Sequence, residues 1–168
     1  MAGTLTVQTL QGPTTGSDAN TVIIPSGHNL HIPGHVIQVV EQTITVPSNV
    51  TITTSADTYT GYSISITPKF ASSKILIDFN VNIQSVGTGI VRCKIYKDGS
   101  NTLGYSTWGS WGGYSNSKTE NISVKHSEVN SGISSRTYQW YVSNHTSSTT
   151  YAPHENTSLT MTLTEIAQ

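Results

Sequence analysis

The chain has 168 residues and a formal net charge of −1, and only 10% of its residues are Asp, Glu, Lys or Arg, against about a quarter in an ordinary soluble domain. A charge so sparse and balanced gives no electrostatic ground for nucleic acid or an anionic membrane as partner, and no run approaches the ~18 apolar residues of a membrane span. About three residues in ten are Ser or Thr, so the surface is built on hydroxyls. The length suits one domain of ordinary size, or a small sandwich with an extension.

Residues 1–34 hold short apolar alternations (Leu5 and Val7, Val22 and Ile24, Leu30 and Ile32) broken every few residues by Gly, Pro, Asn or Ser. Strands this short cannot close a core of their own. The pattern predicts an extended, shaft-like segment that packs on the rest of the chain or on copies from other chains. The opening "MAGTLTVQTLQG" has no basic region followed by an apolar stretch, so the expectation is a chain kept soluble and without Sec-type export.

From His35 to Gln168 the pattern changes to long alternating strands, expected near 36–46, 50–54, 62–67, 74–84, 89–97, 102–107, 119–126, 135–143 and 157–165. In "SSKILIDFNVNI", Ile75, Ile77, Phe79, Val81 and Ile83 hold one parity and Asp78, Asn80 and Asn82 the other, with Leu76 alone out of place. That is a half-buried strand. "YKDGSNTL" reads as a hairpin turn on Asp98-Gly99. Many strands with Gly, Asn and Ser punctuation, and no apolar period of 3.6, predict an all-β antiparallel sandwich, jelly-roll-like, forming a knob over 35–168.

Within that region "TWGSWGGYSN", residues 107–116, spaces Trp108, Trp111 and Tyr114 three apart among glycines. The spacing misses the strand period and is too glycine-rich for a stable helix, so it reads as a loop. Exposed aromatic rings stack on sugar rings while neighbouring Ser and Asn bond sugar hydroxyls. Tyr105, Trp108, Trp111 and Tyr114 are therefore the receptor-contact candidates. The alternative is that the tryptophans cap the sandwich or pack against a neighbouring subunit, where aromatic residues are also enriched.

Other residues read as structure. Cys93 in "GIVRCKIYK" shares parity with Val91 and Ile95, and Trp140 in "RTYQWYVS" shares parity with Tyr138 and Val142; both are expected in the core. With one cysteine no intrachain disulfide forms. The four sequons at Asn49, Asn121, Asn144 and Asn156 stand against roughly three expected by chance in a chain this rich in hydroxyls, and are discounted. His28, His31 and His35 form the only histidine cluster, and three imidazoles near a threefold axis could hold a transition metal. No nearby Cys, Asp or Glu completes a ligand set, so they are weak candidates and no cofactor is expected. The nine Asp and Glu residues are scattered singly and there is no Gly-x-Ser-x-Gly elbow, so neither a paired-carboxylate nor a serine-hydrolase reaction is indicated. The expectation is a protein without enzymatic activity.

"GHVIQVV" at 34–40, "SISITPKFASSKILIDFNV" at 63–81 and "SLTMTLTEIAQ" at 158–168 resemble a sandwich module recurrent in virion proteins of tailed phages, notably those of marine bacteria and cyanobacteria. "TLTVQTLQG" and "IIPSGHNLHIPG" resemble the segments that precede it in tail-fibre and appendage proteins. The resemblance implies a structural virion protein, usually homotrimeric, whose sandwich forms a knob, and does not imply which part of the particle carries it. With the aromatic loop, the expectation is a fibre or appendage component that attaches to other virion proteins through residues 1–34 and contacts host-surface glycan with the knob. The alternative is a capsid decoration, cement or head-fibre protein. A free bacterial lectin, the third reading, would usually need the export signal this sequence lacks.

Overall fold

The computed structural model describes residues 14–16, 32–86, 90–108, 118–145 and 149–168, with the backbone alone at 101, 102, 104–108 and 118. The chain divides into two units, Met1–Leu30 and His31–Gln168, and the fold below belongs to the second. Among the described residues there is no helix long and apolar enough to cross a membrane.

Alternation of apolar and hydroxyl residues makes strands of nearly every segment between turns. They are β1 (Val36–Thr45), β2 (Thr51–Ile52), β3 (Thr58–Ile66), β4 (Lys74–Val86), β5 (Val91–Lys97), β6 (Asn101–Trp108), β7 (Lys118–Val129), β8 (Arg136–Asn144), β9 (Thr149–Tyr151) and β10 (Ser158–Ile166). All pairings are antiparallel.

Two of these strands are interrupted rather than separate. β1 and β2 run in line beside β10 and β9, and backbone hydrogen bonds bridge the break, from Val46 N to Thr157 O (2.9 Å), Asn156 N to Val46 O (2.9 Å) and Ala152 N to Val50 O (2.8 Å). Counting each interrupted strand once leaves eight positions in two sheets, ordered β1/β2, β10/β9, β4, β7 and β3, β8, β5, β6. First pairs with eighth, second with seventh, third with sixth and fourth with fifth. This is one long hairpin rolled into two sheets, the jelly-roll topology, and the expected antiparallel sandwich is the fold.

The inward parities of both sheets meet in a single core. Ile75, Ile77, Phe79, Val81 and Ile83 of β4 and Leu159, Met161 and Leu163 of β10 face Ile64, Ile66, Val91, Cys93, Ile95, Tyr138, Trp140 and Val142 of the other sheet. Cys93 and Trp140 are fully buried, where their parity put them. Burial pushes the Cys93 thiol up to about 12, because a thiolate would sit in apolar surroundings. Polar groups tie the ends. Glu128 of β7 takes hydrogen bonds from Lys97 Nζ (2.7 Å) and Tyr138 OH (2.5 Å), joining one sheet to the other.

Three details depart from the alternation. The third strand starts at Thr58, four residues before the expected 62, because its register shifts between Tyr59 and Ser63 around Gly61, which takes φ 90°. The bulge hides the period. β9 is absent from the expected set; three residues ending just before Ala152 and Pro153 are too few to show a period. Leu76 is out of place because it is on the other face: it is 37% exposed. The Asp98-Gly99 turn forms as expected, with both residues at positive φ, 50° and 79°.

Candidate functional site

The outer face of the β3-β8-β5-β6 sheet collects tyrosines from three strands. Each comes from the parity opposite to the core: Tyr141 alternates with Trp140 on β8, Tyr96 with Ile95 on β5, and Tyr59 with the buried Thr60 on β3. Register then sets them side by side. Tyr59 pairs with Tyr141, and Tyr141 with Lys94. The Tyr59 and Tyr141 ring centroids lie 5.3 Å apart, tilted by 31°, and those of Tyr96 and Tyr141 lie 4.1 Å apart, stacked at 29°. The three rings form a short stack standing on the sheet, with Tyr59 at its open end, 39% exposed.

A polar cluster borders the stack. Asp57, in the turn before β3, accepts hydrogen bonds at Oδ2 from Lys94 Nζ and from Tyr96 OH, both 2.6 Å. Burial alone would raise the Asp57 carboxyl, but the Lys94 and Tyr96 hydrogen bonds, the Lys94 charge and the Ser143 hydroxyl outweigh it and hold the group below its ordinary value. Asp57 is therefore a fixed anion, and it orients both Lys94 and the Tyr96 ring. Rigid tyrosines give large contact area at small entropic cost. The arrangement offers flat aromatic surface beside charged and hydroxyl groups, a combination that suits a binding face for polar rings.

The register divides the sequence-derived candidates. Tyr105 pairs with Lys94 and so belongs to the rung that also holds Tyr141 and Tyr59. Trp108, expected in a loop over 107–116, is instead the last residue of β6 and pairs with Val91, whose side chain is buried in the core; the ladder with β5 carries the strand one residue past the start of that glycine-rich stretch. Trp111 and Tyr114 lie outside the described residues, as do His28 and His31. His35 is exposed, and its backbone carbonyl accepts from Ala167 N at 2.9 Å. Among the described residues no three His, Cys, Asp or Glu come close enough together to hold a metal ion. The residues that sequence reasoning missed are Asp57, Tyr59, Lys94, Tyr96 and Tyr141. Outward parity was visible for each tyrosine on a long strand, but nothing local says that three such strands are neighbours.

No protein-family model matches the chain, and no curated protein matches it either.

Proposed function

We propose that this protein is a non-enzymatic structural component of a tailed-phage virion, a fibre or appendage subunit. It assembles as a homotrimer, attaches to other virion proteins through residues 1–34, and touches host-surface glycan with its sandwich knob. One observation carries the virion reading. The three sandwich stretches that resemble phage virion modules, at 34–40, 63–81 and 158–168, are far apart in sequence, yet they supply the first half of β1, the start of β4 and all of β10, which are neighbours in one sheet, together with the end of β3 in the other. Stretches distant in sequence that meet as neighbouring strands are what a shared module would leave.

The tyrosine stack with its Asp57, Lys94 border supports the glycan part of the reading, and adds a described surface to the Tyr105 and tryptophan candidates. Immunogold electron microscopy of intact phage particles, with antibody to the purified protein, tests the placement. Gold at the tail or at fibre tips is expected. Gold spread over the head would replace the appendage with the capsid decoration or head-fibre role.

A further inference from the structure

The outer face of the other sheet is built differently. Along β1-β10-β4-β7 the outward positions form rungs that can be read from the register: Val36, Ile166, Lys74, Val129; then Val39, Thr164, Leu76, Ser127; then Glu41, Thr162, Asp78, Lys125; then Thr43, Thr160, Asn80, Ser123. The first two rungs leave large apolar side chains in water, with Val36 48%, Val39 56%, Leu76 37% and Val129 62% exposed. An apolar patch gathered at one end of a sheet face, in a chain whose surface is otherwise hydroxyl-rich, marks a surface that another molecule covers.

The third rung says what kind of molecule. Glu41 lies on the β1 edge and Lys125 on the β7 edge, at the same height on opposite sides of the face. Both are exposed, and Lys125 reaches inward to Asp78 at 2.8 Å while keeping 69% of its side chain accessible. Apolar residues likewise sit on both edges at matching heights, Val36 on β1 and Val129 on β7. Rotation about an axis parallel to the strands leaves every rung at its own height. It therefore brings the β1 edge of one copy to the β7 edge of the next with Glu41 beside Lys125 and valine beside valine. Between the edges the small Thr162 and Thr164 leave a depression of about 320 Å³, lined also by Leu76, Asp78 and Lys125, which gives room for side chains of a neighbour.

We propose that this face packs against further copies of the same chain, the β1 edge of one on the β7 edge of the next, around an axis parallel to the strands. The inference rests on the self-association in the preceding reading and gives it a surface; it is independent of host contact.

Sedimentation velocity on the full chain tests it, with circular dichroism as the check on folding. Wild type is expected to sediment as a trimer. Leu76→Glu and Val129→Asp, both at exposed positions, are expected to sediment as folded monomers. Glu41→Lys should weaken association by about tenfold, and adding Lys125→Glu to Glu41→Lys should restore most of that loss, since the swapped charges again face each other. A wild-type oligomer that every one of these variants preserves would overturn this face while leaving self-association standing. A wild type that stays monomeric at the highest soluble concentration would overturn both.

Discussion

Ser73 and Glu165, 92 residues apart in sequence, are joined by a 2.6 Å hydrogen bond from Ser73 Oγ to Glu165 Oε1 inside the sandwich. Glu165 is fully buried, an unusual place for a carboxylate, and its remaining capacity is filled. The backbone N–H groups of Lys69 (2.9 Å to Oε1) and Phe70 (3.1 Å) and the Gln38 side-chain amide (2.6 Å to Oε2) all donate to it. One side chain of β10 thus ties the loop between β3 and β4 to β1.

Glu165→Gln should cost about 3 kcal/mol, because two backbone donors and a hydroxyl then face a group that accepts more weakly and carries donors of its own. Burial acts to raise the Glu165 carboxyl, and the Ser73, Lys69, Gln38 and Phe70 donors overcome it, so the folded-state value lies below the ordinary one. A depressed carboxyl contributes stability above the unfolded-state value, about 4.3, and loses it as pH falls through the folded-state value. Asp57 is shifted in the same direction. Urea unfolding at pH 7 and near pH 3 checks this: the gap between wild type and Glu165→Gln should narrow on acidification. A gap that is constant with pH would show that the carboxylate charge is not what the pocket stabilises.

Trp140→Ala should destabilise by about 3–5 kcal/mol, since it empties the largest fully buried side chain from the interface between the sheets. Trp111→Ala should lower the melting temperature far less. Thermal unfolding followed by circular dichroism compares the two, and equal losses would assign Trp111 to packing as well.

Cys93, with its thiol pushed up to about 12 by burial, should resist a thiol-specific reagent at pH 8 in the native protein and react fully in denaturant. Reaction of the native protein at the rate of a free thiol would mean that β5 opens readily.

Tyr59→Ala removes the open end of the tyrosine stack at an exposed position, so stability should fall by no more than about 1.5 kcal/mol, the usual worth of an aromatic pair. Adsorption of the labelled protein to host cells should fall by about tenfold. A Trp108→Ala/Trp111→Ala double variant separates this face from the tryptophan candidates. Loss in the double variant with adsorption intact in Tyr59→Ala would move the contact to the tryptophans.

The Asp98-Gly99 turn was legible from its residue types alone, which tolerate the positive φ it needs. Period-two alternation is likewise a local property, and it was enough to assign the fold class, most strands and the burial of Cys93 and Trp140. Each of those follows from which side of its own strand a residue occupies, and a side chain on the apolar parity has only the core to enter. The same logic lost the beginning of β3, where Gly61 breaks the period, and β9, which is too short to have one. What alternation does not contain is register between strands distant in sequence. Only the folded chain decided that Tyr59, Tyr96 and Tyr141 stack, that Asp57 meets Lys94, that Glu165 closes on Ser73, and that Glu41 and Lys125 share a rung. Such pairings are selected by the packing of both sheets together, because sliding one strand by a single residue would turn its whole apolar set toward water.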